Sequence, residues 1–266
     1  MILVTIFLLS LSSLTFEILL TRVFSIAQWN HLSFMVISIA LFAFGASGTL
    51  LSLLGEKRAG WEERLTRSRP LKVFIFLYTA TGLLSFAVLN HIPLDYFRLP
   101  IEPVQSVYLL IVYLLLSLPF FFSGLIVSLA YARLPERTGH IYWVSMTGSA
   151  CGALLPFLLL PLLGEGRLIL LVVILPLGLI LLRDADQENT GGSRKSSHRV
   201  RTIASLLMAI GIGVILGAVN HPWVNALVNV TPSPYKPLSH VLQYPNTEII
   251  ETATSLRGRI DSVKSD

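Results

Sequence analysis

Residues 104–131 read VQSVYLLIVYLLLSLPFFFSGLIVSLAY and carry no charged side chain. In water such a stretch would need burial on every side. A hydrocarbon layer about 30 Å thick accepts it as one helix, since about 20 apolar residues are enough to cross. The same pattern recurs on both sides, giving expected spans at 2–20, 32–54, 71–89, 104–131, 141–163, 168–182 and 203–219. The sixth is short and the seventh just reaches the usual minimum of about 17 residues. Apolar residues make up 53% of the chain and charged ones 13%, against about 25% charged in a soluble domain. The expected fold class is therefore an all-α polytopic membrane bundle of about seven transmembrane helices, residues 1–219, followed by a short β-hairpin-like tail, residues 220–266.

The basic residues set an orientation. Lys57, Arg58, Arg64, Arg67, Arg69 and Lys72 crowd the second connection. Arg133 and Arg137 lie in the fourth, and Arg183, Arg194, Lys195, Arg199 and Arg201 in the sixth. Connections of the opposite parity hold only Arg22, Arg98 and Arg167. The positive-inside rule makes the first group cytoplasmic and puts the amino terminus inside, in a cell (inner) membrane. Seven spans would then bring the tail out on the far side. The net charge of +5 is explained by this asymmetry and is not read as affinity for nucleic acid; the lipid bilayer is the expected partner. The first span lacks a charged leader and a small-residue cleavage site, so it reads as a permanent helix.

Several intramembrane features stand out. Glu17 interrupts the first span, and a carboxylate there is expected to face the bundle interior or a partner. Arg22 lies about 140° further round that helix, so the two can meet only by a long reach. Gly148 and Gly152 form a GxxxG flanked by Ser145, Ser149 and Ala153; Gly213 and Gly217 form another; Ala43, Gly45, Ala46, Ser47 and Gly48 crowd the second span. Such residues let helix backbones approach closely in lipid, which marks helix packing. Gly211, Gly213 and Gly217 do not have the spacing or the preceding strand of a dinucleotide loop. Pro119, Pro156, Pro161 and Pro176 can kink the fourth to sixth helices. Asn-His pairs at Asn30-His31, Asn90-His91 and Asn220-His221 fall at helix ends of one side. His31, His91 and His221 are thus candidate metal ligands, although interfacial histidines more often cap helix ends.

Beyond residue 232 the sequence turns polar. Residues 235–242 suit a short helix or turn, and 247–254 with 259–265 suit two strands joined at 255–258. Ser233-Pro-Tyr235-Lys236-Pro-Leu238, an acidic strand, and then Ser255-Leu-Arg-Gly258-Arg259-Ile260-Asp261-Ser-Val263 resemble the start of a spermidine-synthase-like domain. Phe16-Glu17-Ile-Leu-Leu-Thr21-Arg22 is similar to the first-helix signature of bacterial proteins that fuse a multi-span membrane region to such a domain. Phe120-Phe-Phe-Ser-Gly124, Pro135-Glu136-Arg137, Ile141-Tyr142 and the Gly148–Gly152 segment look like a further stretch of it. The resemblance implies an aminopropyltransferase- or methyltransferase-type partner domain with a Rossmann-type fold. That domain would bind S-adenosylmethionine or its decarboxylated form. Its glycine-rich loop, ribose-binding acid and catalytic acids would follow the hairpin, and the sequence stops at Asp266. No catalytic or cofactor-binding residue is therefore assigned to this chain. The expectation is a membrane anchor or substrate-delivery region, cut at the start of its soluble domain and inactive alone. The alternative is a transporter-like bundle for a small solute.

Overall fold

The computed structural model describes residues 2–27, 30–55, 68–92, 94–95, 98–188, 237–244, 247–255 and 258–264. Its long helices are α1 (Ile2–Ala27), α2 (Asn30–Gly55), α3 (Ser68–His91), α4 (Pro103–Arg133) and α5 (Thr138–Glu188), with a 3-10 turn at Pro135–Arg137. A five-residue helix, α6 (Pro237–Val241), precedes β1 (Glu248–Ser255) and β2 (Gly258–Lys264). Among the described residues, five helices are long and apolar enough to cross a membrane. The chain is thus mostly helical, with membrane-spanning character and a small antiparallel sheet at its carboxyl end. The fifth and sixth expected spans fall within the one element α5, and the seventh, 203–219, lies outside the described residues.

The fifth helix has two limbs. Gly164 sits at φ 72°, ψ 174°, a backbone region open essentially to glycine alone. The limbs run opposite ways along α1. Before the bend, Gly148 lies over Phe7 and Gly152 over Leu11, so the numbering of both helices rises together. After it, Glu165 meets Arg22 and Val172 meets Ser12, so one rises as the other falls. The break expected between residues 163 and 168 coincides with this reversal: Gly164 ends the first limb and Glu165 opens the second.

Register fixes the remaining directions. Ser13 meets Ser123 and Phe16 meets Phe120, so α4 runs against α1. Phe42 pairs with Tyr113, Phe44 with Phe120 and Ser47 with Gly124, so α2 runs against α1 and its partners on α4 fix their mutual register. On α3, Leu71 and Ile75 cluster with Ile126, whereas Phe86 clusters with Val112 and Leu116, so α3 opposes α4. The amino end of α1, the end of α2, the start of α3 and the α4–α5 connection share one face. Arg22, the α3–α4 loop and the Gly164 bend share the other.

The core lies around α1, whose Phe16, Leu19, Leu20, Val23 and Phe24 are buried among side chains from every other long helix. The outer surfaces stay apolar: Leu41, Leu158 and Leu162 are each at least 70% exposed. A water-facing surface would not tolerate that density of exposed apolar side chains, whereas lipid does. In the tail, β1 and β2 pair antiparallel from Glu248↔Lys264 to Ser255↔Gly258, with a bulge between Ile249 and Glu251. The strands begin and end within a residue of the positions expected from sequence. Arg259 holds Asp261 at 2.9 Å, and Asp261 also accepts from Thr252 across the ladder. Ile249, Ile250 and Ile260 remain exposed, and a hairpin of this size is at best marginally stable alone in water.

Candidate functional site

α1 carries Thr5, Ser10, Ser12, Ser13 and Thr15, all buried. In hydrocarbon each hydroxyl must find a partner within the protein. Four of them reach across to other helices. Ser10 Oγ lies 2.9 Å from Ser145 Oγ on the first limb of α5. Ser13 Oγ donates to Ser123 Oγ of α4 at 2.7 Å. Thr15 Oγ1 is 2.8 Å from the Gly152 carbonyl and also from Leu11 O in its own helix. Ser12 Oγ donates to Val172 O on the second limb and stands 2.7 Å from Tyr78 Oη of α3. A serine hydroxyl has one proton, so Tyr78 must be the donor to Ser12. The chain Tyr78, Ser12, Val172 thus ends on a backbone carbonyl, which cannot pass a proton onward. This axis is a fastening and not a proton wire.

Glycines allow the fastening. A Cβ at Gly148 would stand 2.5 Å from Phe7 O, and one at Gly152 would overlap Leu11 O. These residues bring the first limb of α5 into backbone contact with α1. The small residues of α2 divide differently. Ala43 and Ser47 are buried, and Ser47 with Phe44 fills the space beside Gly124. At Gly45 and Gly48, by contrast, an added methyl group would meet nothing within 4 Å, so they pack against no helix among the described residues. Gly213 and Gly217 lie outside the described residues.

Charge gathers at the Gly164 end. Arg22 Nε donates to Glu165 Oε1 at 2.8 Å, with the side chains 15% and 8% exposed. This replaces the long-reach contact between Glu17 and Arg22 that the sequence allowed: five residues of helix turn the two side chains apart, while the reversal at Gly164 delivers Glu165 to Arg22. Glu17 itself is half-buried, and among the described residues no hydrogen-bond or ion-pair partner accompanies it. Glu165 was legible only as part of the polar break Gly164-Glu165-Gly166-Arg167. The useful signal was that Arg22 and this break belong to the same side of the membrane. The neighbouring α3–α4 loop is closed by Arg98, which bridges Asp95 at 3.3 Å and Glu102 at 3.2 Å, and by Gln105 Oε1 accepting from the Asp95 amide at 2.9 Å.

The histidine candidates do not assemble among the described residues. His91 is exposed, and its Nδ1 lies 2.7 Å from Ala87 O, the carbonyl one turn back in α3. Ala87 O is also the helical acceptor of the His91 backbone N–H, so the contact is a local one at the end of α3. His31 lies in the first turn of α2, and His221 lies outside the described residues. Among the described residues no group of three His, Cys, Asp or Glu side chains could hold a metal ion. Cys151 is exposed on the outer side of α5.

A shallow groove of about 540 Å³ runs along α2, lined by Leu41, Phe42, Gly45, Ala46, Thr49, Leu50 and Leu53. All of its walls belong to one helix, so it opens to the surroundings and not to the bundle axis. No protein-family model matches the chain, and no curated protein or solved structure matches it either.

Proposed function

We propose that this chain is the membrane-embedded part of a spermidine-synthase-like transferase. It anchors a soluble catalytic domain, or delivers a membrane-embedded substrate to it, in the cell (inner) membrane. The observation that carries the anchor reading is the filled axis of the bundle. The hydroxyls of Ser10, Ser12, Ser13 and Thr15 on α1 are committed to Tyr78, Ser123, Ser145 and backbone carbonyls, which suits a rigid platform better than a path for solute. The resemblance of residues 16–22, 120–124 and 233–263 supplies the family, and the β-hairpin suits the entry to a soluble domain. S-adenosylmethionine or its decarboxylated form would bind in that domain and not to residues of this chain.

The test is reconstitution. Membranes containing this chain are mixed with a separately produced spermidine-synthase-like domain, and transfer from the adenosyl donor is measured. The proposal expects activity that sediments with the membranes only when the chain is present. A soluble domain that neither binds these membranes nor changes in activity would overturn it. A second reading, a transporter-like bundle, draws on the half-buried Glu17, which has no partner among the described residues. It expects solute uptake that survives removal of residues 220–266 and is abolished by Glu17→Gln.

A further inference from the structure

α5 contains Pro156, Pro161 and Pro176. A helical residue normally donates its N–H to the carbonyl four positions earlier, and proline has no N–H to donate. Pro156 therefore leaves Gly152 O open, and Pro176 leaves Val172 O open. The ring of a helical proline also crowds the preceding turn, which weakens the next bond along, the one ending on Val173 O in the case of Pro176.

Side chains of other helices meet these three carbonyls. Thr15 Oγ1 reaches Gly152 O at 2.8 Å and shares its one proton with Leu11 O, a turn back in its own helix, at the same distance. Ser12 Oγ donates to Val172 O. Thr79 Oγ1 of α3 reaches Val173 O at 3.0 Å. Elsewhere in the bundle, hydroxyls such as those of Thr49, Thr81, Ser85, Ser117 and Thr147 bond carbonyls of their own helix. Where a hydroxyl leaves its helix for a carbonyl at Ser12, Thr15 and Thr79, that carbonyl is one a proline has uncovered or weakened.

The geometry points to a latched hinge: Pro156 and Pro176 make the two limbs of α5 bendable, and the hydroxyls of Thr15, Ser12 and Thr79 hold each bend in one position. Pro176 is gripped from two sides, by α1 and by α3. Gly82 of α3 lets this happen, since a Cβ there would stand 2.8 Å from Val173. The consequence lies further along the helix. The last turns of α5, as far as Glu188, inherit their direction from that latch. An unlatched α5 would swing them about Pro176.

The experiment is a pair of double-mutant cycles on the full chain in detergent micelles, read by thermal unfolding and by amide hydrogen exchange. One crosses Thr79→Val with Pro176→Ala, and the other crosses Thr15→Val with Pro156→Ala. With proline present, each valine is expected to lower the melting temperature by about 2 °C, the scale of one interhelical hydrogen bond in a bundle of this size. It should also speed exchange of the amides around the proline. With alanine present the restored N–H takes over the carbonyl, and the same valine should cost less than half as much. Equal losses in both backgrounds would show that the hydroxyl acts independently of the proline, which overturns the hinge. Should a Pro→Ala chain fail to fold, Thr79→Ser is compared with Thr79→Val in the native background. Serine keeps the latch and should keep the melting temperature, and an equal fall in both variants also overturns the proposal.

Discussion

α1 and α2 each contain 26 residues of almost the same mean hydropathy, yet the structure uses them in opposite ways. α1 is 61% buried over its most apolar window and α2 only 33%. The difference lies in where the small polar side chains fall. On α1 they surround the helix, and each needs a protein partner because lipid offers none. Ser10, Ser12, Ser13 and Thr15 therefore pull in three neighbouring helices at once. On α2 the hydroxyls of Ser38 and Thr49 are satisfied by carbonyls of their own helix, so that face can meet lipid. Hydropathy places both helices in the membrane, and only the demand for hydrogen-bond partners decides which becomes the centre.

The largest expected effect tests the far end of α1. Arg22→Ala should destabilise the chain by about 3 kcal/mol, because it leaves the Glu165 carboxylate buried without its counter-charge. Glu165→Ala should cost a similar amount. Reversing the pair, Arg22→Glu with Glu165→Arg, should recover part of the loss. Denaturant titration of the purified protein measures all three. Independent, additive losses from the two single variants would mean that the ion pair does not hold the Gly164 bend to α1.

The next effect concerns how tightly α1 is gripped. Gly152→Leu must push α5 away from the Leu11 backbone, and overpacking of this kind costs about 2–3 kcal/mol. Gly148→Leu should behave alike against Phe7. Thermal melts in detergent would register both as losses of several degrees. A neutral Gly152→Leu would separate α1 from the first limb of α5 and remove the basis for its central place.

Tyr78→Phe should be milder, about 0.6 kcal/mol, since Ser12 keeps its bond to Val172 O and only the Tyr78 contact is lost. Unfolding curves of wild type and variant resolve a difference of that size when the slopes agree. A loss several times larger would mean that the Tyr78–Ser12 bond carries more of the fastening than the bond from Ser12 to Val172 O.

Much of this arrangement was legible in the sequence, and its failures have physical causes. Apolar runs and turn residues located the long helices and the hairpin, with most ends within three residues, because length and composition suffice for that in lipid; α1 and α5 run on to Ala27 and Glu188, past the expected ends at 20 and 182. The glycine at position 164 marks the reversal through its backbone freedom and the charged residues after it. The partner of Arg22 was not legible, since Glu165 lies 143 residues further along the chain and reaches it only through the reversal at Gly164 and a specific docking against α1. Nor did a crowd of neighbouring small residues distinguish Gly148 and Gly152 from Gly45 and Gly48. Both sets look like packing surfaces, and only tertiary structure shows that one meets a backbone and the other meets nothing among the described residues. The spans expected at 141–163 and 168–182 correspond to the two limbs of α5, and a single glycine turns the chain at the short polar break, residues 164–167, that separates them.

The smallest expected effect is the sharpest test of the contrast. Gly45→Leu places a large side chain where a methyl group would meet nothing within 4 Å, in the groove bounded by Leu41, Phe42 and Leu53. On the exposed face of a lipid-facing helix, such a change should stay within about 0.5 kcal/mol, the range of surface substitutions. Leucine is also a better helix former than glycine, which offsets part of any loss. The same substitution at Gly152 should cost several times more, although both glycines sit in apolar helices beside other small residues. Measuring the two variants side by side turns the difference between α1 and α2 into one ratio. A Gly45→Leu loss as large as that of Gly152→Leu would mean that a helix fills the groove of α2 in the folded protein. The exposed face would then be a second packing surface, and the demand for hydrogen-bond partners would no longer account for the central place of α1.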